Sequence, residues 1–296
     1  MAEGSDDVHD LTVSASTPFN PEIEIQVDLA SVKCLDSQVG GHRGIFLSSK
    51  DGKVLKRCIA EEINFYRYLA ENGISESFFP ASPGTMVLSM KIDDEVITNE
   101  TYLVMEDLTK AFNHPSVLDI KVGTVPWGWP ITEEKLQKQI RKREATTTGK
   151  LGFRITGMKM WMPNQGNYDI LDRTFGHHLA PEDVPPAITR FSESGKVDVL
   201  KSFLEQLIKF EAWEKSYGTK NLGLHGASLL FIYEGEPSVA DPAAPRLCLI
   251  DFPHTEYLKT GVTPRLEAWK EGDHDGILFG VSNLVKIFEE VARARS

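Results

Sequence analysis

The sequence predicts an α+β protein, with short buried strands and a few amphipathic helices around a sizeable core. Three observations carry that expectation. Pro115–Thr124, reading P-S-V-L-D-I-K-V-G-T, alternates as an extended segment, with Val117, Asp119 and Lys121 on one side and Leu118, Ile120 and Val122 on the other. His225–Glu234 and Leu247–Ile250 are nearly continuous apolar runs of strand length, as expected of strands covered on both faces. Val197, Leu200, Phe203, Leu204, Leu207 and Ile208 recur at helical spacing, and Phe279–Val291 repeats an amphipathic pattern. A chain of 296 residues is long enough for one large domain or two intimate lobes sharing a core.

Taken in order, residues 1–21 are rich in Ser, Asp and Thr and read as a flexible acidic tail. From Gln38 the pattern turns strand-like, with Gly40, Gly41 and Gly44 around His42; a hairpin turn and close approach to a ligand both fit these glycines. A short strand G-K-V-L-K-R follows, then a helix through Ala60–Leu69 with Ile63, Tyr66 and Leu69 at helical spacing. Gly-rich hairpin, strand with Lys56, then helix with Glu62 is an order that can grip nucleotide phosphates. A surface lysine and an exposed glutamate are the plain alternative. Thr85–Met90 and Thr101–Met105 read as strands joined by the polar loop K-I-D-D-E, and the second ends in M-E-D-L.

Beyond Pro115–Thr124, Thr132 is a plausible N-cap for the helix 132–143, with Glu133 and Glu134 in its first turn. At about 100° per residue, Lys135, Lys138, Gln139 and Lys142 share an arc of about 100°. A solvated face explains that arc as well as an anion pocket does. Thr146–Gly149 breaks the helix, and Leu151–Trp161 alternates as a strand that leaves Arg154 and Lys159 for solvent or substrate. Tyr168–Phe175 reads as its partner strand, and Pro181–Phe191 as a short helix. Ser228 begins one buried run and Asp251 ends the other. A carboxylate there suits a Mg²⁺ ion, which takes one or two protein carboxylates, or simply caps a turn.

Net charge is −11, which argues against general nucleic-acid binding and leaves room for a local basic pocket. Three cysteines, Cys34, Cys58 and Cys248, have no metal-ligand spacing and fit a reducing compartment. No apolar run approaches the roughly 18–20 residues of a membrane-spanning helix. The expectation is an intracellular soluble protein of the nucleus, the cytoplasm or both, without membrane insertion; the sequence does not give the oligomeric state, and a monomer is favoured.

An acid and a base two residues apart on one strand face can hold phosphate and hydroxyl together. The full pattern P-x-x-x-D-x-K-x-G, at Pro115, Asp119, Lys121 and Gly123, resembles the signature of the inositol polyphosphate kinase family. L-G-F-R-I-T-G-M at Leu151–Met158, S-L-L-F-I-Y-E-G at Ser228–Gly235 and I-D-F-P-H-T at Ile250–Thr255 follow in that family's order. The resemblance runs from about Val39 to the C-terminus. It implies a two-lobed kinase-like fold, with an antiparallel-sheet N-lobe at 22–110 and an α+β C-lobe at 111–296. The helix 132–143 would be its short substrate-binding insert, and the active site would lie between the lobes near Asp119, Lys121 and Asp251.

The same resemblance implies phosphoryl transfer from MgATP to a hydroxyl of an inositol polyphosphate. Lys56 and Glu62 match the phosphate-gripping pair, and Glu106 and Leu108 the main-chain contacts to the base. Asp119 matches either a ribose ligand or a base, and Lys121 a contact to the transferring group or substrate. Lys135, Gln139, Lys142, Lys159 and His254 match substrate contacts; Lys138 shares only their arc. Asp251, with Ser228, matches the metal site. Glu144–Lys159 looks most like multikinases of compact fungal type. Hexakisphosphate kinases and a non-catalytic scaffold of the same fold are the rivals, and no H-R-D-like loop supports a protein kinase. The chain departs from the family at Leu224–Ala227, ahead of Ser228, which leaves His225 open as a core histidine or an extra ligand.

Overall fold

The computed structural model describes residues 8–34, 46–75, 77–92, 95–193, 198–258 and 274–295; Gly40, Gly41, His42 and Gly44 fall outside them. The chain divides into two compact units, Met1–Lys110 and Ala111–Ser296.

The first unit is built on an antiparallel six-stranded sheet. Its strands are β1 (Val8–Pro18), β2 (Lys33–Cys34), β3 (Phe46–Ser48), β4 (Lys53–Arg57), β5 (Gly84–Ile92) and β6 (Glu95–Glu106), in the order β1-β5-β6-β4-β3-β2. Helix α1 (Ala60–Glu71) lies between β4 and β5 in sequence and buries Glu62, Phe65, Tyr66 and Leu69. Leu47, Leu55, Leu88, Tyr102 and Val104 are the centre of the sheet's core. One expectation is overturned here. Residues 8–18, read as part of a flexible tail, form strand β1, which pairs along β5 from Val8↔Ile92 to Pro18↔Gly84. Leu11, Val13 and Ala15 alternate with Thr12, Ser14 and Ser16, but the run is short and weakly apolar, and Leu11 is the one of the three part-buried against the sheet's core. Backbone pairing to an open edge supplies the order instead. The K-I-D-D-E loop is also shorter than its polarity suggested, because the β5–β6 ladder continues to Ile92↔Glu95.

The second unit centres on β7 (Pro115–Val122), the middle strand of an antiparallel five-stranded sheet. The further elements are α2 (Glu133–Ala145), α3 (Thr147–Leu151), β8 (Phe153–Met162), β9 (Asn167–Leu171), α4 (Arg173–His178), α5 (Val184–Phe191), α6 (Asp198–Trp213), α7 (Thr219–Asn221), β10 (Leu222–His225), β11 (Ser228–Glu234), β12 (Arg246–Ile250), β13 (His254–Tyr257) and α8 (Ile277–Arg295). The sheet order is β12-β11-β7-β8-β9, and β10 pairs with β13 as a separate ribbon. Along β7 burial alternates residue by residue: Leu118, Ile120 and Val122 are fully buried, while Val117, Asp119 and Lys121 form the half-buried face. Phe203 of α6, Phe231 of β11 and Phe288 of α8 stack and edge against one another beneath it.

Two local readings differ from the sequence pattern. The break expected at Thr146–Gly149 falls at Thr146, which is extended between α2 and α3. The chain then re-enters a helical turn, Thr147–Leu151, closed by Gly152 at φ 74°, a left-handed cap, where Leu151 was expected to start a strand. Tyr168–Phe175 is not one strand: Asp172 accepts a hydrogen bond from the Thr174 N–H at 2.9 Å and starts α4. An Asp at an N-cap outweighs the extended propensity of Tyr, Ile and Leu before it.

Gly123, the last residue of the signature, has φ 97°, and a Cβ there would lie 2.8 Å from the Asp275 carbonyl oxygen. That carbonyl accepts from the Thr124 and Val125 N–H groups at 2.8 and 3.1 Å. The Asp275 carboxylate accepts from Leu224 N and Ile277 N at 2.6 and 2.9 Å. Gly123→Ala meets both strain and overlap, and should cost about 2–4 kcal/mol. Urea unfolding measures it, and an unchanged midpoint would refute the steric account.

Candidate active site

In the first unit Lys56 projects from β4 and Glu62 from the first turn of α1. Their Nζ and Oε1 are 2.7 Å apart, with side chains only 12% and 5% exposed. The register Lys56↔Leu103 fixes the lysine in mid-sheet, and the Cys58 thiol donates to the other Glu62 oxygen at 3.2 Å. Glu62 is therefore buried and paired, where the plain alternative had it exposed. Glu106 ends β6, with its N–H on the Ala81 carbonyl at 3.2 Å and its carboxylate accepting from the Ala81 N–H at 3.2 Å. The next amides are held locally: Asp107 N on Gly52 O, and Thr109 N on the Asp107 carboxylate. Among the described residues the Leu108 N–H has no such acceptor.

In the second unit the sheet brings four of the expected residues together. Lys121 pairs across β7–β11 with Ser228, and Ser228 pairs across β11–β12 with Ile250, next to Asp251. Direct antiparallel partners share a face, so Lys121 and Ser228 project to the same side. The Lys121 ammonium donates to the Gly226 carbonyl at 2.6 Å. Asp119 sits one pleat along. Burial pushes its carboxyl up from the usual range, hydrogen bonds from Thr156 and Ser228 pull it down, and the Asp251 charge raises it again; the net is upward. One Asp119 oxygen, Oδ1, is buried without a hydrogen-bond partner. Asp251 has φ 62°, a left-handed conformation that Asp tolerates better than most residues.

Helix α2 starts as expected, with the Thr132 hydroxyl accepting from Lys135 N at 3.4 Å. Nothing on it is fully buried; Lys135 and Lys138 are exposed, and Gln139 and Lys142 half-buried. Burial lowers the pKa of Lys142, and the positive charges of Arg154, Lys121, Arg173 and Lys138 lower it further. Lys142 thus faces the sheet's cationic side, whereas Lys135 and Lys138 reach solvent. Lys159 lies farther along β8, opposite Val117, with its ammonium 4.2 Å from the Tyr168 ring centroid. His254 opens β13, and its ring packs so closely on the Gly128 backbone that a side chain at Gly128 would overlap it.

His225 proves to be a core histidine. It is wholly buried, with Nδ1 3.1 Å from the Val125 carbonyl and Nε2 3.5 Å from Glu256. Burial acts to lower its pKa, but Glu256, Asp275 and the Val125 carbonyl together raise it. Sequence reasoning missed Arg173 and His177, because reading 168–175 as a strand hid their helical spacing. It also left Arg154 undecided. Arg154 pairs with Lys121 across β7–β8 and is 5% exposed, with one guanidinium contact on the Thr148 hydroxyl at 3.0 Å.

This antiparallel α+β arrangement is that of the inositol phosphate kinases. The structure aligns with the Saccharomyces cerevisiae inositol phosphate multikinase in complex with ADP and Mn²⁺, at TM-score 0.64 and 26% identity, over 80% of this chain and 98% of that one. The family model for inositol polyphosphate kinase matches residues 102–289. The chain belongs to the inositol polyphosphate kinase family. It is 28% identical over 274 residues to the inositol polyphosphate multikinase of Schizosaccharomyces pombe, covering 87% of this chain and 97% of the relative. It is 27% identical over 205 residues to mouse inositol hexakisphosphate kinase 3, over 64% of this chain and 50% of that longer protein. Among the described residues no helix is long and apolar enough to cross a membrane.

Proposed function

We propose that the chain is an ATP-dependent inositol polyphosphate multikinase, transferring the γ-phosphate to a hydroxyl of an inositol tris- or tetrakisphosphate. The observation that carries this reading is the single sheet face presenting Asp119, Lys121 and Ser228, with Asp251 at the end of the adjoining strand. Phosphoryl transfer needs positioning and charge neutralisation more than covalent chemistry. Lys56, held by Glu62, grips the nucleotide phosphates. Glu106 and the Leu108 N–H offer main-chain groups to the base. Lys121 neutralises the transferring group, and Lys142, Gln139, Lys159 and His254 hold substrate phosphates, with Lys135 and Lys138 at the exposed margin. Asp119, whose pKa is raised, suits a base that takes the acceptor hydroxyl's proton; ribose binding is the other role open to it.

Asp251, with the Ser228 hydroxyl, fits a hard divalent ion such as Mg²⁺. Among the described residues no group of three or more His, Cys, Asp or Glu gathers anywhere. Mg²⁺ does not require one, since it takes one or two carboxylates and fills its shell with phosphate oxygens and water. The ion would neutralise phosphate charge. All three cysteines are thiols, which suits the reducing nucleus or cytoplasm.

A panel of inositol phosphates incubated with radiolabelled ATP and separated by anion exchange tests the reading. Labelled tetrakis- and pentakisphosphate products are expected. Label only in pyrophosphates from hexakisphosphate would make the chain a hexakisphosphate kinase, and no label a scaffold. Lys142→Ala should raise KM for the inositol phosphate about ten- to a hundredfold and leave KM for ATP alone. Kinetics equal to the parent would return α2 to the solvent.

A further inference from the structure

A fully buried ionisable side chain, His225, ends β10 and leads into the turn Gly226–Ala227 ahead of β11. A leucine or phenylalanine would fill that space without the cost of burying a polar ring. The ring instead meets an acceptor at each nitrogen. Nδ1 is 3.1 Å from the Val125 carbonyl, and Nε2 faces a Glu256 carboxylate oxygen at 3.5 Å. The carbonyl can only accept, so Nδ1 carries a hydrogen. Room for the second contact comes from two residues back. Gly223 stands opposite Glu256 in the β10–β13 ribbon, and a Cβ on it would lie 3.1 Å from His225 Nε2 and 3.5 Å from Glu256 Oε2. Burial lowers the ring's pKa, but Glu256, Asp275 and the Val125 carbonyl outweigh it, which favours a ring with hydrogen on both nitrogens.

These contacts tie together three stretches far apart in sequence. Val125 follows the signature, and its N–H rests with that of Thr124 on the Asp275 carbonyl. Glu256 belongs to β13. His225 itself precedes Gly226, whose carbonyl accepts from the Lys121 ammonium at 2.6 Å. Gly226 has φ 82°, and a glycine left to itself turns its peptide freely. Two anchors hold this one. On one side is the His225 ring. On the other, the Ala227 carbonyl accepts from the Val122 N–H at 3.1 Å. Lysine is a point charge on a flexible four-carbon stem, so the place of its ammonium depends on the acceptor it meets.

We propose that His225 is a positioning residue for phosphoryl transfer: clamped between Val125 and Glu256, it fixes the Gly226 carbonyl and through it the Lys121 ammonium. This rests on the kinase reading above and extends it to a buried residue outside the nucleotide and substrate contacts. Lys121 neutralises the transferring group, so releasing the clamp acts on turnover and spares nucleotide binding. A displacement of about 1 Å at such a group can cost about a hundredfold in rate.

The experiment measures kcat and KM for ATP and inositol phosphate in the parent, His225→Phe, His225→Asn, Glu256→Gln, Lys121→Met and the combination of Lys121→Met with His225→Phe. Phe keeps a ring and loses both contacts, whereas Asn offers an amide nitrogen close to the place of Nδ1 and keeps the Val125 bond. Expected is a fall in kcat of about tenfold or more for His225→Phe, most of it recovered in His225→Asn, with KM for ATP unchanged in both. In the Lys121→Met background, His225→Phe should lower kcat by less than about twofold, because an effect routed through Lys121 has nothing left to act on. Glu256→Gln keeps the volume of its side chain and should give a smaller fall of the same kind. A parent inactive on every inositol phosphate would sink the kinase reading, and this role with it. With an active parent, a parental kcat in His225→Phe, or a loss that adds in full to that of Lys121→Met, would overturn the positioning role alone. Should His225→Phe melt early, a parental kcat in Glu256→Gln overturns it instead. A rise in KM for ATP that matches the fall in kcat would also overturn it, by showing a general structural role.

Discussion

Asp251→Asn is expected to leave the protein folded and to lower turnover by about a thousandfold or more. The side chain sits where β12 ends, one residue beyond the strand that carries the Ser228 pairing, and its charge is felt by Asp119. Replacing a carboxylate by an amide removes the negative charge that a hard divalent ion requires, while volume and hydrogen-bonding capacity change little. The backbone matters too. At φ 62° most residues would be strained, but Asn tolerates the left-handed region as well as Asp does, so the turn survives. Losing one preorganised electrostatic contact typically costs 10²–10³ in kcat, and loss of the metal's anchor should reach or exceed that range. Thermal melting and circular dichroism should match the parent, and the residual rate should no longer respond to added Mg²⁺. A folded variant with normal Mg²⁺-dependent turnover would remove Asp251 from the metal site.

The central strand was legible because its two faces differ chemically, and period-two alternation is the strongest signal a half-buried strand can give. Val117, Asp119 and Lys121 lie where the pattern put them. Ser228 and Asp251 were legible for a related reason: each marks the point where a buried apolar run begins or ends. What could not be read was long-range. Strand β1 carries only a short, weakly apolar alternation, Leu11, Val13 and Ala15, and is ordered by pairing with β5, across a separation local pattern does not see. The role of Asp275 was equally hidden. Its carboxylate serves Leu224, about fifty residues away in sequence, and only the fold shows why Gly123 must face its carbonyl. Arg173 and His177 were lost to a boundary error of a few residues. Once Asp172 is recognised as a cap, the helix and its cationic face follow.

Lys56→Ala should act twice, on nucleotide affinity and on the stability of the first unit. The ammonium is 2.7 Å from Glu62 in a setting where the carboxylate is 5% exposed. Removing it strands a buried negative charge beside the Cys58 thiol, a weak donor. Breaking a buried pair from one side costs about 3–5 kcal/mol, far more than an exposed lysine would contribute. Nucleotide affinity should fall about ten- to a hundredfold, the scale of one charge-assisted contact, while inositol phosphate binding, assigned to the second unit, stays near parental. The two effects can be separated. Lys56→Met with Glu62→Gln replaces the ion pair by groups of similar volume and should recover most of the stability, because no charge is left buried. It should not recover nucleotide binding. Titrations with an ATP analogue and with an inositol phosphate, run beside urea unfolding, measure all three quantities. Recovery of nucleotide binding in the double variant would show that Lys56 matters only as Glu62's partner. Equal loss of both ligands in a stable protein would show that β4 and α1 do not form the nucleotide site.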